Sequence, residues 1–212
     1  MVTDVLLIGT QIGLLYGPLA LGIYLAINVL SLPDLTLEGS FGLGGAAAAS
    51  SLLMGFDPVS SLLIGMCAGA LAGLIAALLH VVLQMNVLLA GILMTTAAWS
   101  VSIAVMGTGN VSLVRFETLF TWLQALGLGN QQATILMAGG VTLVLALLLV
   151  WLLHTGYGLA TRATGLNIQT ARGMGIRTEK HQIFGLVMAN ALAAASGALV
   201  AQSQGFMDVS IQ

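Results

Sequence analysis

The sequence predicts an all-α protein, a polytopic bundle of membrane-spanning helices. Only 6% of its 212 residues are charged and 58% are apolar, whereas soluble domains carry about 25% charged residues. Several uncharged runs reach the roughly 20 residues that cross a bilayer core as a helix. The short alternating segments of a β-barrel are not visible. Lipid is therefore expected to be the main solvent of this chain.

Six membrane segments are predicted within one transmembrane domain, 1–212, and Pro18 predicts a kink in the first. Their ranges are 5–27, 36–54, 59–79, 87–106, 133–153 and 182–203. Two segments carry glycines four residues apart, which predicts faces for close helix contact. These glycines are Gly9, Gly13 and Gly17 in the first segment and Gly65, Gly69 and Gly73 in the third.

Residues 31–54 predict a broken or re-entrant helix. Pro33 discourages continuation of the preceding helix, and Asp34 followed by Glu38 is typical of a helix start, with a capping side chain and then an acid in the first turn. The Gly/Ala-rich run that follows is short for a full crossing. The start of this helix is therefore expected within the membrane thickness, where irregular backbone requires a protein or cavity surrounding.

Residues 154–181 are the strongly polar segment of the chain and hold four of its five basic residues. Lysine and arginine in short loops mark the cytoplasmic side, so this segment and 80–86 are predicted inside, and the N-terminus and 107–132 outside. A Gly-x-x-x-x-Gly-Lys-Ser/Thr phosphate loop is missing from the sequence. If ATP drives this chain, the hydrolysing subunit is a separate polypeptide.

The basic segment resembles the coupling loop of permease subunits of bacterial ATP-binding-cassette importers. The matching residues are Arg162-Ala163-Thr164-Gly165-Leu166-Asn167, then Ala171-Arg172 and Gly175-Ile176. The relevant branch handles branched-chain amino acids and ribose-type sugars. The runs LPDLTLEGSFGLGGA, NVLLAGILMTTAAWSVSIAVMG and GTGNVSL look closest to a less characterised branch that is linked to tryptophan, tyrosine or related small solutes.

The resemblance implies a permease subunit that moves a small solute, an amino acid or related, across the bacterial inner membrane. It further implies a permease homodimer, an ATPase subunit and an external substrate-binding protein as partners. Family members run longer, and Asp208-Val-Ser-Ile-Gln echoes Asp34-Leu-Thr-Leu-Glu, so the chain is expected to be incomplete at its C-terminus. The alternatives are a secondary transporter or channel, and a truncated remnant without transport.

Contact with the ATPase is expected for residues of the basic segment, with a helix of about two turns between the two glycines: Arg162, Gly165, Asn167, Arg172, Gly175 and Arg177. The alternative is that the cations only set topology and meet lipid headgroups.

Asp34, Thr36 and Glu38 are the candidates for the translocation path, because ionisable residues at membrane depth usually face a cavity or a partner. A simple helix cap is the equal alternative. For the binding protein the candidates are Asn110, Arg115 and Trp122, against an interfacial aromatic belt.

Other classes of function find no support in the sequence. Its three histidines lack metal-ligand spacing, and no nucleophile with a neighbouring base indicates a catalytic site. No cofactor is expected, and a net charge of −2 gives no footprint for nucleic acid. Cys67 lies in an apolar run and is expected to be a buried small side chain.

Overall fold

Apolar runs with few breaking residues form long helices here, and the prediction of an all-α bundle is confirmed. The computed structural model describes residues 2–125, 127 and 129–209. The helices are α1 (Val2–Leu15), α2 (Gly17–Ile23) with a π-helical continuation (Tyr24–Val29), α3 (Thr36–Leu53), α4 (Pro58–Val81), α5 (Val87–Met106), α6 (Leu119–Ala125), α7 (Asn130–His154), α8 (Gly156–Leu166), α9 (Ile168–Gly173) and α10 (Thr178–Gln204). Two short strands, β1 (Asn110–Ser112) and β2 (Phe206–Asp208), pair antiparallel.

Within the described residues, α4, α5, α7 and α10 are each long and apolar enough to cross a membrane. A fifth crossing results if α1 and α2, which meet at an angle of 48°, form one broken span. With these apolar helices, the chain is a multi-pass membrane protein.

The bend between α1 and α2 follows from Pro18, and the predicted kink is confirmed. Proline has no N–H to donate to the carbonyl of Leu14, four residues earlier. Thr142 Oγ1 donates to that carbonyl instead, at 2.9 Å. Ser196 Oγ donates to the neighbouring carbonyl of Leu15, at 2.7 Å. Two side chains from α7 and α10 therefore satisfy the backbone groups that the break leaves free.

The centre of the bundle is the contact of α10 with α3 and α4, and small residues make it possible. A Cβ added at Gly65 would lie 2.7 Å from the carbonyl oxygen of Gly44, and one at Gly73 would lie 2.6 Å from the Cβ of Asn190. The predicted close-packing face of α4 is confirmed. The prediction for Gly9 and Gly13 is wrong within the described chain, because a Cβ at either position meets nothing within 4 Å.

The bundle has two ends of different character. The basic end carries the α4–α5 link, α8, α9 and the start of α10, and the strand end carries β1, β2, α6 and the turn between α3 and α4. Cys67 is exposed on α4 rather than buried as expected, because its side chain faces away from the α10 contact. Of the segment 107–132 that is predicted outside, residues 126 and 128 lie outside the described residues, as do residues 210–212 of the predicted C-terminal echo.

Candidate functional site

A buried polar contact joins the start of α3 to the middle of α10. Asp34 Oδ1 accepts the backbone N–H of Thr36 at 2.8 Å, and Asp34 Oδ2 accepts a hydrogen bond from Asn190 Nδ2 at 2.8 Å. Asn190 Oδ1 in turn accepts from Ser40 Oγ at 2.6 Å. Asp34 is 8% exposed and Asn190 is fully buried. Asp34 therefore accepts the N–H of the first residue of α3 and also joins this helix to α10.

The position of Asn190 fixes the depth at which α3 begins. Asn190 lies twelve residues after Thr178, the first residue of α10, which is roughly 18 Å along a helix that is about 40 Å long. Leu30, four residues before Asp34, instead packs against Gly185, nearer the start of α10. The chain thus runs towards the basic end, turns back over residues 30–35, and starts α3 halfway through the bundle.

A groove of about 380 Å³ opens beside this helix start. It lies between α3 and the α2 segment with its π-helical continuation, and Tyr16 stacks on Phe41 at its edge with ring centroids 5.5 Å apart. Its lining is apolar apart from two carboxylates and the Tyr16 hydroxyl: Tyr16, Leu19, Ile23, Ile27, Asp34, Leu35, Leu37, Glu38 and Phe41. Both charges in the described lining are negative.

The three path candidates do not share one environment. Asp34 and Glu38 line the groove, and Glu38 is exposed there. Thr36 does not line it: its side chain is fully buried, and its Oγ1 finds no hydrogen-bond partner among the described residues. The structure therefore brings together two of the three residues that the sequence singled out.

At the basic end, the segment from α8 to the first turn of α10 forms a hairpin, defined here as residues 156–180. Asn167 begins α9, and its Oδ1 accepts the N–H of Thr170 at 3.0 Å. Gly175 follows α9 with φ +82°, a left-handed conformation that favours glycine. A short helix, α9, does lie between the two predicted glycines. It is preceded by a second helix, α8, of eleven residues.

The six predicted contact residues of the hairpin divide into two groups. Asn167, Arg172, Gly175 and Arg177 are exposed, beside the apolar side chains of Leu166, 87% exposed, and Met174, 73% exposed. Arg162 is half-buried. Gly165 packs against the carbonyl oxygen of Val29 so closely that a Cβ would collide with it. Gly165 therefore has a packing role within the chain.

Arg172 ties α9 to the start of α10. Its Nε donates to Thr178 Oγ1 at 3.0 Å, and a terminal nitrogen donates to Glu179 at 2.6 Å. A second contact joins α8 to α10, because the Tyr157 and His181 ring centroids lie 4.3 Å apart. Neither of these two contacts was predicted from the sequence. Glu179 follows Arg172 by seven residues, but the turn at Gly175 separates their two helices. Helical spacing therefore does not predict the contact.

At the strand end, the predicted outer candidates lie on one surface. Asn110 Nδ2 donates to Asp208 Oδ2 at 3.0 Å, and the two residues are also partners in the β1–β2 register. Arg115 is exposed. Trp122 is 41% exposed, and its Nε1 donates to Glu117 at 3.3 Å. In the described part of the chain, no group of three or more histidine, cysteine or acidic side chains could hold a metal ion.

Comparison with known proteins identifies the family. Residues 5–212 match the family model for the permease component of branched-chain amino acid transport systems. The chain belongs to this family. The permease is 33% identical to the "Tyrosine transport system permease protein" of Clostridioides difficile, over 93% of this chain and 64% of that protein. It is 30% identical to the "Autoinducer 2 import system permease protein LsrC" of Yersinia pseudotuberculosis, over 82% of this chain and 48% of that protein.

A further relative aligns with this chain over a larger share of its own length. It is the "Uncharacterized protein RP368" of Rickettsia prowazekii, 31% identical over 98% of this chain and 71% of that protein. The permease thus spans between about half and about seven tenths of these three relatives. No solved structure matches it. The names of the Clostridioides difficile and Yersinia pseudotuberculosis relatives describe transport permeases rather than enzymes.

Proposed function

We propose that this permease is the membrane subunit of an ATP-driven importer in the bacterial cytoplasmic membrane, and that it moves an amino acid or a related small solute. One observation carries the proposal. In the exposed hairpin, α9 is hydrogen-bonded to the first turn of α10, and the middle of α10 is hydrogen-bonded to Asp34 at the start of α3, beside the groove. A push on the hairpin would reach the groove through hydrogen bonds and close packing alone.

The hairpin has the surface that a separate ATPase subunit would need. Leu166 and Met174 expose apolar side chains on either side of α9, and Arg172 and Arg177 add exposed cations. A short helix with apolar side chains fits a groove on a partner protein. Because Gly165 contacts Val29, a displaced hairpin would also move the π-helical segment that lines the groove.

The groove beside α3 supplies the path in this proposal. Its carboxylates would attract the ammonium of a solute, and its aromatic and aliphatic lining would accept an apolar side chain. Two copies of the permease would enclose the open side of the groove. A substrate-binding protein would deliver solute at the strand end, against Asn110, Arg115 and Trp122.

The test uses permease and ATPase subunit copurified and reconstituted in liposomes. Leu166→Glu and Met174→Glu each place a charge in the proposed contact, and we expect association with the ATPase to weaken at least about tenfold. Val114→Glu is the matched control, since Val114 is 80% exposed at the strand end. Unchanged association in both hairpin variants would contradict the docking surface.

The same liposomes separate the proposal from ion-coupled transport. Uptake by an ATP-driven importer continues when ionophores dissipate the ion gradients and stops when ATP is withheld. Uptake that stops with the gradients and ignores ATP would instead favour a secondary transporter that uses Asp34 and Glu38 as ion ligands.

A further inference from the structure

A second cavity, polar and separate from the groove beside α3, lies at the basic end. Its volume is about 380 Å³, within the range of about 300–1,000 Å³ that is common for small-molecule sites. The end of α4, the α4–α5 link, α9 and the start of α10 surround it. Its lining residues are His80, Val81, Gln84, Ile168, Arg172, Glu179 and Gln182.

Gln182 directs its side-chain amide into this cavity. The residue is 8% exposed and lines the cavity, and no hydrogen bond joins its amide to a described residue. Its polar atoms are not among the fully enclosed unpaired atoms of the described residues, which are Thr36 Oγ1 and Ser61 Oγ, so they reach the cavity. The hydrogen-bond partner of this amide is therefore expected in the cavity, where water or a bound solute can pair with it.

The other polar groups of the cavity show which chemistry fits. Arg172 has five N–H donors and uses two of them on Thr178 and Glu179. Glu179 has a second carboxylate oxygen to offer. The Nδ1 of His80 lies 2.8 Å from the carbonyl oxygen of Met85 and must carry the hydrogen of that bond. The other ring nitrogen, Nε2, is left for a hydrogen bond to an occupant of the cavity.

This set contains donors and acceptors, and its two charges cancel. A simple anion such as phosphate would meet the Glu179 carboxylate, and a simple cation would meet the Arg172 guanidinium. A zwitterion satisfies both, because its carboxylate suits the remaining Arg172 donors and its ammonium suits Glu179. Gln182 can serve either group, since an amide both donates and accepts.

We propose that this cavity is a binding site for a small α-amino acid in its zwitterionic form, reached from the basic end of the bundle. The inference rests on the proposed function for the source of the ligand, which is solute accumulated on the side of the ATPase. An occupant would hold α9 and α10 to the end of α4. Because the hairpin must move for transport, a filled site slows turnover when solute accumulates.

The experiment measures binding by calorimetry. The full chain with its ATPase subunit is placed in phosphatidylcholine nanodiscs without nucleotide and titrated with glycine, L-leucine and L-tyrosine. N-acetyl-L-leucine and L-leucine methyl ester each remove one of the two charges. We expect at least one of the free amino acids to bind and both leucine derivatives to bind at least about tenfold more weakly than L-leucine.

Gln182→Met tests the residue that carries the inference. Methionine keeps the length of glutamine without its polar atoms, so the unliganded variant should be at least as stable as wild type. Amino acid binding should weaken about tenfold. Gln132→Met is the matched control, because Gln132 is exposed on α7 at the strand end. Thermal unfolding of each variant shows that it has folded.

Three outcomes would overturn the proposal: no binding of any free amino acid, equal binding of N-acetyl-L-leucine or inorganic phosphate, and binding unaffected by Gln182→Met. ATPase activity then provides a separate measurement. In wild type, added amino acid should lower ATP hydrolysis, and in Gln182→Met the half-inhibitory concentration should rise about tenfold. Binding without any uptake by the wild type would refute the proposed function and leave the site intact.

Discussion

Helices α7 and α10 are similar in length and both are apolar enough to cross a membrane, yet they occupy opposite places in the bundle. Each helix contains an apolar stretch of 18 residues. In α10, 78% of this stretch is buried within the chain, whereas in α7 only 17% is buried. Leucine is the most frequent residue of α7, whereas alanine is the most frequent residue of α10. In a bilayer, lipid solvates large apolar side chains as well as protein does, so small residues rather than apolar ones mark the helix at the centre.

The largest effect is expected for a glycine of α10. Gly197 packs against the backbone carbonyl of Phe41, where a Cβ would collide. Gly197→Leu should therefore lower the free energy of unfolding by about 3 kcal/mol or more, because a backbone carbonyl cannot move aside as a side chain can. Gly140→Leu in α7 is the control, since a Cβ there meets nothing within 4 Å. Denaturant unfolding in detergent measures both, and equal losses would remove the distinction between the two helices.

An intermediate effect is expected for the polar contact of α10. Asn190→Ala leaves the buried Asp34 carboxylate with one hydrogen bond fewer and should cost about 1–3 kcal/mol of unfolding free energy. Thr96→Ala on the outer face of α5 is the control, because Thr96 is exposed and bonds only to carbonyls of its own helix. The same unfolding measurement applies. A loss below about 0.5 kcal/mol for Asn190→Ala would show that Asp34 finds another partner.

The smallest effect on stability is expected where α10 leaves the bundle. Arg172 and Glu179 are exposed, with side chains 58% and 48% accessible, and exposed ion pairs contribute little to stability because water and salt screen them. Arg172→Glu should hardly change unfolding but should uncouple ATP hydrolysis from uptake. Arg172→Glu with Glu179→Arg should restore coupling if the pair acts as an internal link. Coupling that stays lost in this double variant would instead assign Arg172 to contact with the ATPase.

Local signals in the sequence were sufficient for much of the fold. Helix α5 begins and ends at the residues predicted, because Asn86 caps it and Gly107 ends it in a left-handed conformation. The mid-bundle start of α3 was also recognisable, because Pro33, Asp34 and Glu38 all lie within the ten residues 31–40. Four-residue glycine spacing was less informative, because it occurs both in α4, where it meets α10, and in α1, where a Cβ at Gly9 or Gly13 would meet no described residue within 4 Å.

Contacts between distant residues could not be predicted. Asp34 and Asn190 are 156 residues apart, and nothing in either neighbourhood specifies the other. For the same reason, Gly165 was assigned to a partner protein when its close neighbour is Val29 of the same chain. Gln182 carried no signal at all, since an unpaired amide is recognised only once its surroundings are known.

The bend between α1 and α2 also constrains the order in which the protein can be completed. The carbonyl of Leu15 is synthesised well before its partner on α10, because Ser196 follows Leu15 by 181 residues. Unpaired carbonyls are costly in hydrocarbon. The bent segment of α1 and α2 therefore cannot settle into its final form until α10 has entered the bilayer.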